Sequence, residues 1–276
     1  MDFIHSAVLG LVEGLTEFVP ISSSGHLIVA RKLMGLPLAG SLSFDAIIQL
    51  AAGLAVLCYF WKDIWNLIQT FFLVITRKNA ELKDSNLLWA IIIGTVPAIV
   101  LGLLLQKYMD TVFRGTGVVA ISLIAGSILF YFAERKFNRP LAPSLSNEGG
   151  GTNTLSVKTG FVIGLYQCLA LVPGFSRSGA TISGGLLSGL SREMTVRFSF
   201  LLSLPIIFGS GLYEVYSLVK HGQFGSLESS LIIASIFSFI SGLLAIHFLI
   251  KFLKNHSLNY FGVYRIILAV LILIFI

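Results

Sequence analysis

The chain has 276 residues, of which 55% are hydrophobic and only 12% charged, with mean hydropathy +0.89 and a formal net charge of +6. A soluble domain carries about 25% charge, so an ordinary soluble protein is excluded, and the apolar runs are too long and too unalternating for a membrane β-barrel. The expected fold is all-α: a polytopic integral membrane protein whose Lys and Arg fall in short loops, where they set orientation and are no sign of nucleic-acid binding.

The first element covers residues 3–19, an apolar stretch interrupted by Glu13 and Glu17. Four apart, these two carboxylates share one face of a helix. Pro20 ends that helix, Ile21-Ser22-Ser23-Ser24-Gly25 follows as a loop, and His26 opens an apolar run to about Leu36. The expectation is a re-entrant hairpin, because irregular backbone at membrane depth survives only where protein or a wet cavity surrounds it. Residues 43–61 can span. Residues 62–83, with Trp65 and charged flanks, suggest an interfacial helix. Spans follow at 86–106, kinked at Pro97, and at 115–133. Residues 134–158 are a long polar loop. A second hairpin is expected over 159–190, then spans at 198–219, 228–250 and 258–276. Asp2 and Glu13 argue against a cleavable signal peptide, and the amino end offers no lipidation motif. Cys58 and Cys168 lie in apolar segments and are expected to be buried packing thiols, not a disulfide or a metal framework.

Both hairpins carry related sequences. A shift of 154 aligns Gly10 with Gly164, Leu11 with Leu165, Leu15 with Leu169, Ser22 with Ser176, Ser24 with Ser178, Gly25 with Gly179 and Ile28 with Ile182. Their prolines, Pro20 and Pro173, are one place out of phase. In the same alignment Glu13 becomes Gln167, Glu17 becomes Leu171, Ser23 becomes Arg177 and His26 becomes Ala180, so one copy holds acid and imidazole and the other the cation. The chain therefore reads as one membrane domain: repeat one over 1–133, a polar linker over 134–158 and repeat two over 159–276. Each repeat has three crossings, an odd number, which inverts one relative to the other. Leaving out Arg177, the loops at 62–83, 135–197 and 251–254 hold twelve basic residues, against five on the opposite side: Arg31, Lys32, Lys107, Arg114 and Lys220. The richer side is expected to be cytoplasmic and both termini extracytoplasmic. Broken helices of inverted repeats meeting near the midplane form a shared central site.

The loop Pro173-Gly-Phe-Ser-Arg-Ser-Gly-Ala-Thr181 has the chemistry of a phosphate grip. Gly174 and Gly179 allow close backbone approach, Ser176, Ser178 and Thr181 offer hydroxyls, and Arg177 offers a planar fork. A helix starting near Gly179 would turn free N–H groups toward an anion. Glu13 and Glu17 cannot face lipid ionised. They could hold a divalent cation, act as general base, or form an ion pair with Arg177 or Arg265. His26, alone, would read as a packed histidine; beside two Glu and three Ser it becomes a nucleophile or general acid. Asp45 and Gln49, also four apart, are supporting candidates, while Glu214, His221 and His247 read as structural or interfacial. Arg265 either snorkels to the interface or faces the central site.

Residues 13–26, Glu-Gly-Leu-Thr-Glu-Phe-Val-Pro-Ile-Ser-Ser-Ser-Gly-His, and residues 173–181 together resemble the two signature motifs of the undecaprenyl-diphosphate phosphatases, the bacitracin-resistance protein family. The resemblance extends over length, repeat and span pattern. It implies hydrolysis of undecaprenyl diphosphate to undecaprenyl phosphate and inorganic phosphate, in a bacterial cell membrane, with a divalent cation (Mg²⁺ or Ca²⁺) required. Carried over by position, it implies Glu13 and Glu17 as the acidic pair and metal holders, His26 as the histidine, and Ser176, Arg177 and Thr181 on the phosphate. Ser24 stands where some members have Thr, which keeps the hydroxyl. The catalytic candidates are Glu13, Glu17, Ser23, His26 and Arg177; the substrate-binding candidates are Ser22, Ser24, Gly25, Gly174, Ser176, Ser178, Gly179 and Thr181. The expected partners are a polyprenyl diphosphate lipid and the membrane, with no nucleic acid. The site is expected to open extracytoplasmically, where the resemblance implies that the diphosphate carrier is produced. The sequence leaves open whether His26, a serine or water attacks, and whether the chain acts as monomer or homodimer. A lipid-carrier transporter and a non-catalytic lipid-binding protein are the rival classes; phosphate release by purified protein separates the first, and the acidic pair argues against the second.

Overall fold

A computed structural model describes residues 2–38, 41–76, 82–111, 115–138, 151–222 and 224–276. Arg77, Lys78, Glu81, Arg114 and residues 139–150 of the expected polar linker lie outside the described residues. Among those described there are eleven α-helices and one short 3-10 turn, with no β-strand. In chain order they are α1 (Phe3–Phe18), α2 (Ser23–Leu33), α3 (Leu42–Tyr59), α4 (Trp61–Ile75), α5 (Leu82–Thr111), α6 (Thr116–Phe137), α7 (Val157–Gln167), the 3-10 turn Cys168–Leu171, α8 (Arg177–Leu187), α9 (Arg192–Lys220), α10 (Phe224–Asn255) and α11 (Asn259–Phe275).

Local sequence explains the two breaks. α1 begins where the Asp2 side chain accepts from the His5 N–H, and it ends at Phe18 because Val19, held extended (ψ 136°), precedes Pro20. The 3-10 turn after α7 ends the same way: Val172, at ψ 117°, precedes Pro173. In each hairpin the returning helix starts one residue after a serine in left-handed backbone, Ser22 at φ 76° and Ser176 at φ 73°. These are the only non-glycine residues with positive φ among the described residues, and they lie 154 apart. A positive φ at serine is strained, and each hydroxyl offsets part of that by capping its helix, on Gly25 N and Gly179 N respectively.

Among the described residues, five helices are long and apolar enough to cross a membrane: Leu42–Tyr59, Ser85–Leu105, Thr116–Phe137, Arg192–Lys220 and Ser229–Asn255. The chain is thus a polytopic membrane protein. The last expected span, 258–276, forms α11, a 17-residue apolar helix. α4 buries only Thr70 and turns Trp61, Trp65, Ile68, Phe71, Phe72 and Ile75 outward. The expected polar loop starts later than residue 134, since α6 runs on to Phe137; Glu134 is buried there and accepts both Arg192 guanidinium nitrogens at 2.7 and 2.6 Å. Cys58 is exposed on α3 and Cys168 partly buried, both free; the expectation of two buried thiols fails at Cys58, which sits on an outer face of its helix.

Helix pairing follows from small residues. α1 packs on α10 and α7 on α5. A Cβ on Gly10 would stand 2.1 Å from the Ala234 carbonyl oxygen, and one on Gly164 would stand 2.1 Å from the Gly94 carbonyl oxygen. Backbones this close are the membrane substitute for a hydrophobic driving force between helices. α3 packs against α9 and α10, and α6 against α11 and α8. The main core gathers Phe18, Phe60, Phe130 and Phe200, with Phe18 and Phe200 edge-to-face at 5.5 Å. Around it, the outward faces are apolar. α11, for instance, exposes Val263, Ile267, Leu273 and Ile274.

Candidate active site

Into this apolar bundle the two hairpins bring a buried polar cluster. Glu17, on the last turn of α1, is 6% exposed and lies at its centre. Its Oε1 accepts from Arg177 Nη2 at 2.6 Å and from Gln49 Nε2 at 2.9 Å, and its Oε2 accepts from the Ser23 hydroxyl at 2.5 Å. Ser23 is the first residue of α2 and Arg177 the first residue of α8. One carboxylate is therefore gripped by side chains from two helix N-termini, whose first N–H groups have no partner within their helices. The structure brings together residues 160 apart in the chain, and the ion pair considered from sequence, Glu17 with Arg177, is present. It does not use up the cation: Arg177 Nη1 is buried and has no hydrogen-bond partner among the described residues.

Glu13, one turn earlier on the same face of α1, is 2% exposed. Two buried carboxylates a turn apart repel unless a proton or a cation offsets their charge. A carboxylate has about four acceptor positions, and Glu17 has filled three of them. The remaining one, with Glu13, offers hard oxygens suited to Mg²⁺ or Ca²⁺, which commonly take one or two carboxylates and complete their shell with water or phosphate. No group of three or more His, Cys, Asp or Glu side chains gathers among the described residues, so a cation held here would take its other oxygens from outside that set.

The remaining candidates take more varied places. His26 donates from Nδ1 to the Ser22 carbonyl at 2.7 Å, while its Nε2 meets the Tyr264 hydroxyl at 2.8 Å. Ser24 is exposed beside Ser22, their hydroxyls 3.3 Å apart, and the pair Ser176 and Ser178 repeats this at 3.2 Å. Ser178 also reaches the Val19 carbonyl across the hairpins, at 3.4 Å. Thr181 lies deeper, its hydroxyl donating to the Arg177 carbonyl at 2.9 Å and lying 2.6 Å from the Ser199 hydroxyl, so it braces α8 against α9. A Cβ on Gly174 would meet the Val119 carbonyl at 2.5 Å, and one on Gly179 the Phe130 ring at 2.5 Å, so at both glycines the protein neighbour that comes close is α6. Gly25 likewise backs onto Val119 of α6. Asp45 pairs with Arg31, and Ser43 donates to Glu214 at 2.7 Å. His221 bonds the Ser217 carbonyl of its own helix, and His247 meets Tyr59.

Arg265 does not snorkel; it turns inward, onto the backbone of both hairpin breaks. It is 0% exposed and donates to four backbone carbonyls: Leu123 and Ser122 of α6, Pro20 of the first hairpin at 3.2 Å and Gly174 of the second at 3.1 Å. Its guanidinium lies over the Phe130 ring, 4.7 Å from the centroid, in room left by Gly126, whose Cβ would be 2.1 Å from Nη2. Arg265 thus ties the two breaks to each other from behind. Sequence reasoning gave Gln49 a lesser place than the structure does and made nothing of Tyr264. The available signals were the Asp45/Gln49 spacing and a lone Tyr-Arg pair in an apolar helix.

Comparison with known proteins places this constellation in context. A family profile described as bacitracin resistance protein BacA matches residues 6–271. An undecaprenyl-diphosphatase of Corynebacterium striatum is 40% identical over 275 residues, covering 99% of this chain and 94% of the relative. One from Chloroherpeton thalassium is 40% identical over 280 residues, covering 99% and 96%. Another, from Renibacterium salmoninarum, is 39% identical over 280 residues with the same coverage.

Proposed function

The chain belongs to the bacitracin resistance protein BacA family, and from that premise we infer its reaction and the residues that perform it. It hydrolyses undecaprenyl diphosphate to undecaprenyl phosphate and inorganic phosphate, which recycles the lipid carrier of cell-wall synthesis and confers bacitracin resistance.

The observation that carries the residue-level reading is the Arg177 guanidinium, one nitrogen on Glu17 and the other buried without a partner among the described residues. Nη1 receives an oxygen of the terminal phosphate, beside the first N–H groups of α2 and α8. Ser23 is the nucleophile: its hydroxyl already donates to Glu17 Oε2, the arrangement of a nucleophile beside its base. Ser23 Oγ gives its proton to Glu17 and bonds to the terminal phosphorus. The bond from that phosphorus to the bridging oxygen breaks, and undecaprenyl phosphate leaves with the electron pair. Water then attacks the phosphoserine and gives a proton to His26 Nε2; the Ser23 O–P bond breaks, Ser23 recovers its proton from Glu17, and His26 releases its proton to bulk water as inorganic phosphate leaves, which restores the starting state. Glu13 and Glu17 would hold a divalent cation, which when bound offsets the charge of the diphosphate.

The wider layout belongs to the same reading: six crossings and two re-entrant hairpins in inverted repeats, in the cell membrane, with the site opening extracytoplasmically. The matched serine caps at Ser22 and Ser176 support it, as does the pairing of α1 with α10 and of α7 with α5. α11, at 17 residues, is about 25 Å long, near the lower limit for a span.

The test is phosphate release by purified protein in detergent, with acid quenching to trap the intermediate. Phosphate should map to Ser23, and Ser23→Ala should abolish turnover; phosphate on His26, or a Ser23→Ala rate near wild type, would overturn the assignment. EDTA should abolish turnover and Mg²⁺ or Ca²⁺ should restore it, whereas full activity in chelator removes the cation from the reading.

A further inference from the structure

Both ring nitrogens of His26 are engaged, and the partners fix which is which. Nδ1 lies 2.7 Å from the Ser22 carbonyl oxygen, which can only accept, so Nδ1 carries the ring proton. In the neutral ring Nε2 then presents a lone pair, and the group facing it at 2.8 Å is the Tyr264 hydroxyl. The two rings lie parallel, 5° between planes and 5.7 Å between centroids. One contact would leave the imidazole free to swing about Nδ1; two contacts, at opposite sides of the ring, set its plane. Tyr264 is itself held, because its neighbour Arg265 is bonded to the carbonyls of both hairpin breaks, Pro20 and Gly174. The phenol therefore stands in a fixed register with the strained Ser22 cap that anchors the other side of His26. Tyr264 is 44% exposed, so it borders the cluster from the outside of the bundle and is no part of the core.

We propose that Tyr264 is the positioning residue for His26, its O–H keeping Nε2 as the acceptor of the ring until the attacking water takes that place. This rests on the reading that Nε2 takes the proton of that water. The phenol makes and gives up a hydrogen bond and transfers no proton. The Ser22 carbonyl on Nδ1 has the place of the neighbour that fixes the second nitrogen of a metal-bound or triad histidine, and Tyr264 adds the further point that sets the plane of the ring.

Tyr264→Phe removes the O–H and keeps the ring, and at a half-open position the protein should still fold. On full-length protein in detergent, kcat should fall about tenfold with KM within about twofold, the size expected when an imidazole held in register for the incoming water becomes free to swing. In a His26→Gln background, adding Tyr264→Phe should change nothing beyond about twofold, because interacting residues are not additive. An independent readout covers the case in which His26→Gln is too slow to measure. With ¹⁵N-histidine labelling, and the His26 signals assigned by their loss in His26→Gln, the Nε2 resonance should move downfield in Tyr264→Phe as its donor is lost. Wild-type kcat in Tyr264→Phe, an equal loss in both backgrounds, or an unmoved Nε2 resonance overturns the inference while His26→Gln remains inactive. Wild-type turnover in His26→Gln fails the proton-accepting role of His26 and takes the Tyr264 inference with it, so the two failures are told apart.

Discussion

At the scale of single residues, Arg177 is the side chain that must do two things at once. It holds Glu17 at 2.6 Å through Nη2 and, in the proposed reaction, gives Nη1 to a phosphate oxygen. A planar fork can serve both positions, whereas lysine supplies one compact ammonium. Losing a donor to a transition-state oxygen costs about 3–4 kcal/mol, or about 10²–10³ in rate. Arg177→Lys should therefore lose most of kcat, close to Arg177→Ala, in protein that inserts and purifies normally. Near-native turnover in Arg177→Lys would reduce the residue to a general positive charge. Gln49 and Ser23 keep the Glu17 carboxylate in place in either variant, which is why the loss is expected in the rate and not in folding.

At the scale of elements, the hairpins are held by backbone proximity. Gly10 has no room for a methyl group, since its Cβ would stand 2.1 Å from the Ala234 carbonyl, so Gly10→Ala must push α1 away from α10. Gly117, in the first turn of α6, has nothing within 4 Å of its Cβ. Gly117→Ala should leave thermal stability unchanged or raise it by up to about 1 kcal/mol, as helix propensity dictates. Gly10→Ala should lower it by about 1–3 kcal/mol or more. Thermal unfolding of the two in the same detergent checks the contrast, and equal midpoints would show that α1 and α10 have slack. The hairpins were legible in the sequence because their signals are local: Pro20 and Pro173 force the preceding residue extended, and the serine caps follow at once. What was not legible is tertiary. Nothing near Arg265 in sequence says that it grips Pro20 and Gly174, 245 and 91 residues away. Nor does glycine spacing carry information on which protein neighbour comes close to Gly174 and Gly179; here it is α6. Ser23 was legible as a hydroxyl in the right loop, but its bond to Glu17 crosses a proline break that helical spacing cannot project.

For the whole molecule, the proposed orientation is open to direct measurement. Ser24 is exposed beside the cluster, so a cysteine placed there in a Cys58→Ser, Cys168→Ser background reports which face the first hairpin enters. Ser24→Cys should react with a membrane-impermeant thiol reagent added to intact cells; reaction only in inverted vesicles would reverse the topology. Five of the expected spans were readable because bilayer thickness fixes helix length, while α11, at 17 residues, is shorter than those five. The central ion pair also has a consequence for how the protein is made. Glu17 leaves the ribosome 160 residues before Arg177. At about 5–20 residues per second that is roughly 10–30 s in which the acids of the first half must sit in or near the bilayer without their cation. During synthesis the first half is thus an unfinished, electrostatically uncompensated intermediate. The arrival of the second half neutralises it and, on the proposed reading of the site, completes the catalytic centre in the same step, so that assembly and activation would be one event.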